Sequence, residues 1–280
     1  MNQSPILFTR KLPVFFHIPK CAGTYVYSIF CRISALLAGV GNIKYIIVKQ
    51  NDFILYRLIC TTNKPLDKKY KKQDRWTYFV DYDDLDINDL NLVFVEVCAR
   101  SFSDYKNYIF KNLPGDVVPY EFIFLRDPYS LAISLFNYLT SDKSNHEPTG
   151  ASINSNKFED YLNSSRLQGS WLIHNLLNIP DPEPITLDDF NKTCDILDSM
   201  LVADMSDVDY TILKVIEDCF NIVDKEIINK IPDIRKVRNK TTNKLNVQFS
   251  DLEEKTKAHF MSHTKWDNRL YNKYKNANIT

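Results

Sequence analysis

Short apolar runs, each followed by a segment with helical spacing, dominate the first half of the chain. Four of them have the length and composition of buried strands, at 14–18, 43–48, 92–97 and 122–125. In the segments behind them, apolar residues recur with the period of a helix. Strands that alternate with helices predict an α/β fold with a central parallel sheet flanked by helices.

The second half of the chain has a mainly helical pattern. Helices are predicted at 128–139, 157–163, 167–177, 187–198 and 208–219, with one further strand at 200–203. Pro128 suits the first turn of a helix, where its missing N–H costs nothing, and Asp127 is the predicted N-cap.

Two polar stretches interrupt this pattern and are predicted as loop insertions. The first, 64–89, is rich in lysine at its start, and only 76–80 within it allows a strand. The second, 141–156, is punctuated by proline and glycine. At 280 residues the chain is long enough for one large domain, so a single domain spanning 1–280 is predicted.

Charge and cysteine content narrow the possible partners. The chain has 35 basic and 35 acidic residues, so bulk charge gives no reason to expect binding to nucleic acid. The six cysteines are scattered without a C-x-x-C spacing, which predicts free thiols and no zinc site.

The turn between the first strand and the following helix is the clearest candidate for chemistry. Backbone N–H groups and the positive end of the helix dipole converge at such a turn and bind phosphate. Gly23 allows close backbone approach, Lys20 supplies a positive charge and Thr24 supplies a hydroxyl. The pattern G-x-x-x-x-G-K-[ST] of nucleoside-triphosphate loops is absent.

Two motifs resemble those of a known enzyme family. The segment F-H-I-P-K-C-A-G-T at 16–24 resembles the 5'-phosphosulfate loop of the carbohydrate sulfotransferases, H-I-P-K-T-A-G-T, and departs from it only at Cys21. The segment F-L-R-D-P-Y-S at 124–130, with Ser134 further along the helix, resembles the family's 3'-phosphate site. The chain is therefore similar to the heparan- and chondroitin-type enzymes and related bacterial sulfotransferases.

The resemblance implies a P-loop-like sulfotransferase fold and a donor, 3'-phosphoadenosine-5'-phosphosulfate (PAPS). The sulfuryl group would pass to a hydroxyl of a carbohydrate acceptor, leaving 3'-phosphoadenosine-5'-phosphate (PAP), without a metal. Arg126 and Ser134 lie eight residues apart, so a helix that starts between them brings both to one phosphate. The segments 200–204, 235–241 and 266–271 match the family more loosely. The implied nucleotide-binding residues are Pro19, Lys20, Cys21, Ala22, Gly23, Thr24, Tyr25, Arg126, Ser134, Arg238, Asn239 and Lys240.

Two residues are candidates for catalysis. Lys20 would stabilise charge on the leaving oxygens, and Glu96 would take the proton of the acceptor. Many relatives have a histidine just behind the corresponding strand, but none of the five histidines lies near its end here, and some sulfotransferases use glutamate instead. The alternative for Glu96 is a structural ion pair with Arg100 or Lys20. His17 is interpreted as a hydrogen-bonded core residue.

Two other functions stay open at this point. A P-loop kinase or nucleotide hydrolase would need the missing G-K-[ST] and an acidic magnesium ligand after a strand. A non-catalytic relative would bind the nucleotide without turnover, and the missing histidine motivates this alternative.

No segment of the sequence has the features of a membrane anchor. The most apolar early stretch, 26–40, contains Arg32 and falls short of the roughly 20 residues that span a bilayer. Met1–Lys11 lacks the apolar core of a secretory signal. We therefore predict a cytoplasmic protein, with the lumenal domain of a Golgi-type enzyme, trimmed of its anchor, as the alternative.

Overall fold

The described part of the chain forms one α/β domain on an eight-stranded sheet. The computed structural model describes residues 11–38, 43–51, 53–62, 65–88, 90–98, 102–140, 157–164, 169–180, 183–220 and 247–275. The strands are β1 (Lys11–His17), β2 (Ile43–Gln50), β3 (Phe53–Thr61), β4 (Lys71–Lys72), β5 (Thr77–Asp81), β6 (Asn91–Cys98), β7 (Val118–Leu125) and β8 (Leu201–Asp204).

Helices follow β1, β6 and β7 in the first half, and most of the other helices lie in the second half. They are α1 (Gly23–Ala38), α2 (Phe102–Asp104), α3 (Pro128–Leu139), α4 (Phe158–Leu162), α5 (Trp171–Leu177), α6 (Leu187–Asp198), α7 (Val208–Phe220), α8 (Glu254–His263) and α9 (Lys265–Tyr274). The short α2 continues as a π-helical turn over Tyr105–Ile109 and a 3-10 turn over Phe110–Asn112.

The sheet has the strand order β4-β5-β2-β3-β6-β1-β7-β8. The neighbours β6, β1, β7 and β8 all run parallel. Parallel strands end at the same edge of a sheet, so His17, Cys98, Leu125 and Asp204 lie along one edge, called here the carboxyl edge. Ligands of open α/β sheets bind outside this edge.

The alternation of strand and helix fails after β2, which turns directly into β3. Asn51 at this turn has a φ of 48°, a left-handed conformation that asparagine tolerates better than most residues. Because β3 pairs antiparallel with both β2 and β6, the sheet is mixed, and the prediction of a parallel sheet is wrong at this point. The residues 53–61 are mainly apolar, and nothing in their pattern indicates whether the strand runs parallel or antiparallel to its neighbours.

The polar stretch predicted as a loop at 64–89 contains strand β5 in its described part. This strand pairs parallel with β2, and its Val80 is buried. Tyr70, Leu85 and Ile87 also reach the core, and the Tyr70 hydroxyl donates to the backbone oxygen of Asp86 at 3.0 Å. A few well-spaced apolar residues therefore order a segment whose average composition is polar. The other predicted loop, 141–156, lies outside the described residues.

Helix α3 has the predicted bounds, and its predicted cap is confirmed. The Asp127 carboxylate accepts from the backbone N–H of Ser130 at 2.8 Å, and Pro128 occupies the first turn. The predicted helices at 157–163, 187–198 and 208–219 are also present, as α4, α6 and α7.

Aromatic rings on one face of the sheet hold α1 in place. Phe30 of α1 is fully buried and stacks on Phe94 of β6 at a centroid distance of 4.3 Å. Its ring also contacts Phe122 of β7 and Phe220 of α7, each at 6.2 Å. This cluster ties together the strands on both sides of β1, and with them the helix that follows β1.

We expect Phe30→Ala to lower the free energy of unfolding by about 3–5 kcal/mol, because it leaves a cavity among three other rings. Leu36→Ala is the control in the same helix, since Leu36 is half exposed and should change stability by only about 0.5 kcal/mol. Urea unfolding followed by circular dichroism measures both. Equal losses in the two variants would contradict the assignment of the core.

Candidate functional site

Residues 18–22 link β1 to α1 and place the first turn of the helix at the carboxyl edge. The backbone N–H of Cys21 donates to the oxygen of Ile18 at 3.0 Å and closes the turn. Lys20 and Ala22 have φ angles of 67° and 62°, a region that non-glycine residues rarely adopt. Strained residues of this kind cluster at ligand sites, where the surrounding structure holds them.

Gly23 is required by the packing of this loop. A Cβ atom at this position would lie 2.0 Å from Nε2 of His17, so the imidazole occupies the space of a side chain. The His17 ring therefore lies against the first residue of α1.

Arg126 docks on the loop from the neighbouring strand. It follows β7, which pairs with β1, and its Nη1 donates to the backbone oxygen of Lys20 at 3.0 Å. The Lys20 ammonium lies 4.0 Å from the centroid of the Tyr138 ring on α3. Arg126 thus contacts the loop that precedes α1, and the Lys20 side chain extends from the same loop to the last turn of α3. The positive end of the α1 dipole also lies at this loop, where it favours an anion.

Ser134 lies on the side of α3 that faces the loop. Leu131 and Tyr138 are three residues before it and four after it, so all three share one face of the helix. Leu131 lines a cleft together with Arg126, and Tyr138 contacts Lys20. The eight-residue spacing therefore brings Ser134 to the same side as the arginine.

Glu96 is buried in β6 with only 3% of its surface exposed, and it is held by two partners. Nη1 of Arg57 lies 3.1 Å and 3.3 Å from its two carboxylate oxygens. Nδ1 of His17 lies 2.8 Å from Oε1. Arg57 is on β3 and is absent from the predicted site residues, while Arg100, a predicted partner, lies outside the described residues.

His17 meets Glu96 because β1 and β6 are parallel neighbours. Phe15 is opposite Glu96 in the register and His17 is opposite Cys98, so the imidazole and the carboxylate share one face at the carboxyl edge. The prediction that His17 is hydrogen-bonded is confirmed, but 23% of its side chain is exposed, so it is not a core residue. A histidine does lie beside the candidate base, although the sequence has none directly after β6.

The remaining predicted loop residues differ in exposure. Pro19 and Thr24 are exposed, whereas Cys21 and Tyr25 are buried. Burial raises the pKa of the Cys21 thiol to about 12, against the effect of the Arg126 charge, so this thiol stays protonated at neutral pH. The Tyr25 hydroxyl donates to Asp209 of α7, so its side chain is part of the packing.

Asp204 ends β8 at the same edge, close to Arg126. Its carboxylate accepts from the backbone N–H of Ser206 at 2.7 Å and also binds the Tyr271 hydroxyl. Burial opposes the charged form, but these hydrogen bonds and the Arg126 charge outweigh it and lower the pKa of Asp204. Tyr271 belongs to the segment 266–271 that the sequence singles out.

Of the predicted site residues, the structure joins Arg126 to Lys20 through a hydrogen bond and places Glu96 beside His17, which ends the strand before the loop. Arg238, Asn239 and Lys240 lie outside the described residues. Within the described ranges, no three or more His, Cys, Asp or Glu side chains are grouped to hold a metal ion. None of the described helices has the length and apolarity needed to cross a membrane.

Comparison of the chain with models of known protein families, with curated proteins and with solved structures finds no match. The geometry is therefore the evidence for what the site can do. The site can bind an anion at the first turn of α1, between Lys20 and Arg126. It can also move a proton through the hydrogen-bonded pair of Glu96 and His17 beside it.

We expect Gly23→Ala to destabilise the protein by about 1–3 kcal/mol, because the added methyl overlaps the His17 ring. The double variant with Gly23→Ala and His17→Ala should lose less stability than the sum of the losses in the two single variants, by at least about 1 kcal/mol, because the ring that the methyl overlaps is then absent. Urea unfolding of the four proteins in this cycle measures the coupling.

Gly115→Ala is the matched control, since nothing lies within 4 Å of a Cβ at that position. It should alter stability by about 0.5 kcal/mol at most. Strictly additive losses at Gly23 and His17 would contradict the close packing of ring and loop.

Proposed function

We propose that this protein is a sulfotransferase with a P-loop-like sulfotransferase fold, which moves the sulfuryl group of PAPS to a hydroxyl of a carbohydrate acceptor. One observation carries the proposal. Arg126 of the second motif donates to the backbone oxygen of Lys20 in the first, 106 residues earlier in the chain. The two motifs that resemble the family's 5'- and 3'-phosphate sites are thus parts of one site.

The charges of this site suit a nucleotide with anionic groups at the 5' and 3' positions of its ribose. The 5'-phosphosulfate would bind at the first turn of α1, where the helix dipole and the Lys20 ammonium favour negative charge. The 3'-phosphate would bind Arg126 and Ser134, which face the loop from β7 and α3. A planar guanidinium is well suited to a phosphate because it offers parallel N–H groups.

The proposed reaction is an in-line displacement at sulfur. The acceptor oxygen forms a bond to sulfur while the bond from sulfur to the 5'-phosphate oxygen breaks, and PAP departs with the bonding electrons. Lys20 and the N–H groups of the loop stabilise the charge that develops on the leaving oxygens. Binding both reactants in line supplies much of the remaining rate enhancement.

Glu96 is the proposed base, acting together with His17. The carboxylate is almost fully buried, whereas the imidazole is partly exposed and lies against the first turn of α1. The acceptor's proton would therefore reach Glu96 through His17, and Arg57 would hold the carboxylate in place. This arrangement corresponds to a base oriented by a second group.

A non-catalytic nucleotide-binding protein is the second candidate. The pairing of Glu96 with Arg57 favours it, because a carboxylate bound by a guanidinium through both oxygens is a common structural element. A protein of this kind would bind the nucleotide at the same site as the proposed sulfotransferase, but it would not transfer the sulfuryl group. No observation within the described residues favours a P-loop kinase.

We expect PAP to bind with micromolar affinity and adenosine-5'-phosphate to bind more weakly by about 2 kcal/mol, the scale of one charge-assisted phosphate contact. Isothermal titration calorimetry measures both. Arg126→Ala should remove the difference between the two nucleotides. Arg75→Ala, which changes an exposed arginine, is the control and should preserve it. Equal or absent binding of the two nucleotides to the wild type would overturn the proposal.

We expect Glu96→Gln to leave PAP binding intact and to lower sulfuryl transfer by roughly 10²–10⁴-fold, the usual contribution of a general base. Transfer is followed with radiolabelled PAPS and a panel of glycans. Glu121→Gln is the matched control, because the Glu121 side chain on β7 is only 8% exposed and pairs with Lys106. Unchanged turnover would remove Glu96 as the base, and PAP binding without any wild-type turnover would favour the non-catalytic candidate.

A further inference from the structure

Two histidines on α8 have no role in the function proposed above. His259 and His263 are four residues apart, which places them one turn apart on the same side of the helix. Their rings are stacked, with a centroid distance of 4.7 Å and an interplanar angle of 30°. Two imidazoles at this helical spacing can bind one metal ion together, as they do in the zinc motif H-E-x-x-H.

The histidine pair lies beside the buried side of α8. Thr256 and Phe260 face the core, with 2% and 1% of their surface exposed, and the Phe260 ring packs on Tyr129 at a centroid distance of 5.7 Å. Successive residues of a helix point in directions about 100° apart, so the histidines flank this core-facing side. His259 is half-buried and His263 is exposed. The pair is therefore at the boundary between the core and the solvent.

The backbone that carries the pair is held by its surroundings. A Cβ atom at Gly169 would lie 2.0 Å from the backbone oxygen of His263, so the chain just before α5 packs directly on the end of α8. The backbone N–H of Thr264 donates to the oxygen of Phe260 at 2.9 Å, which continues the helical hydrogen bonds past His263. Sites on a packed helix are more precise than sites on loops. Both imidazoles thus extend from fixed positions, while the exposed ring of His263 can still turn about its side-chain bonds.

One ring nitrogen of the pair is buried without a partner. Nε2 of His259 has no hydrogen-bond partner within the described part of the chain, although solvent does not reach it. Buried polar atoms almost always have a partner, and an exception calls for an explanation such as a bound ion. The stacked ring of His263 places a second imidazole beside this one. Two positive charges at this spacing repel each other, so the stacking favours neutral imidazole, which is the form that binds a metal.

The number and the kind of ligands decide the class of metal. Imidazole nitrogen suits zinc, copper, nickel and iron, whereas magnesium and calcium prefer oxygen ligands. A structural zinc site has four protein ligands, and no group of three or more His, Cys, Asp or Glu side chains is found among the residues that the structure describes. Two nitrogens with water in the remaining positions suit the tetragonal geometry of Cu²⁺ and Ni²⁺.

We propose that His259 and His263 form a binding site for a divalent first-row transition metal, with Cu²⁺ and Ni²⁺ preferred and water completing the coordination. The ion would bind one nitrogen of each ring and link the two side chains across one turn of α8. This helix has only ten residues, and so short a helix depends on its tertiary contacts, so the link would stabilise it. The proposal shares no residue with the proposed nucleotide site and is independent of it.

Titration calorimetry with nickel chloride tests the site in the full chain. We expect the wild type to bind Ni²⁺, and His259→Ala and His263→Ala each to bind it at least about tenfold more weakly, a loss that even outer-shell partners of a metal cause when they are removed. His174→Ala is the control, because Nδ1 of His174 is bound to the backbone oxygen of Ile179 at 3.1 Å, and it should bind Ni²⁺ as the wild type does. Absent binding to the wild type, or equal affinity in the wild type and both α8 variants, would overturn the proposal.

The helical spacing of the pair is tested by a variant that keeps the number of histidines. Met261→His combined with His263→Ala leaves two histidines in α8, but residues two apart point to different sides of a helix. Met261 is 48% exposed, so its replacement does not disturb the core. We expect this double variant to bind Ni²⁺ as weakly as His263→Ala does. Binding as tight as that of the wild type would overturn the assignment of a chelating pair.

Thermal unfolding followed by circular dichroism gives a readout that does not depend on heats of binding. Saturating Ni²⁺ should raise the midpoint temperature of the wild type and of His174→Ala, because an ion that binds only the folded chain stabilises it. His259→Ala and His263→Ala should show no comparable rise, and metal-free midpoints near that of the wild type establish that these variants are folded. A rise of equal size in all four proteins would place the metal elsewhere and overturn the proposal.

Discussion

The parallel pairing of β1 with β6 on one side and β7 on the other determines where every candidate site residue lies. It brings the loop after β1, the carboxylate of β6 and the arginine after β7 to one edge of the sheet. Aromatic packing around Phe30 holds these strands and α1 together. The site is therefore a consequence of the central strand order, and it needs no contribution from the sheet's outer strands β4 and β5.

Two electrostatic environments meet at this edge. On one side, α1 begins at a strained loop whose Lys20 backbone oxygen accepts from the Arg126 guanidinium. On the other side, the buried Glu96 carboxylate is bound by Arg57 and His17, and such partners offset the cost of burying a charged group. His17 connects the two, because its ring binds Glu96 through one nitrogen and lies against α1 at the other. His17 thus links the buried carboxylate to the first turn of α1.

Local patterns predicted much of the fold. The strand before the loop, the helix at 128–139 and its cap at Asp127 could be predicted because each depends on neighbours in sequence. The hairpin of β2 and β3 could not, since the direction of a strand depends on its pairing partner. The contact of Arg57 with Glu96 could not be predicted either, because it forms only when β3 lies beside β6.

By itself, the sequence determined the turn between the first strand and its helix, the helix that carries Ser134 and the α/β class, because turn chemistry and hydrophobic period are local properties. Only the tertiary structure decided that Arg126 binds the loop and that His17 and Arg57 hold Glu96. These contacts join residues far apart in the chain. Their formation depends on strand order and helix packing, which no single segment encodes.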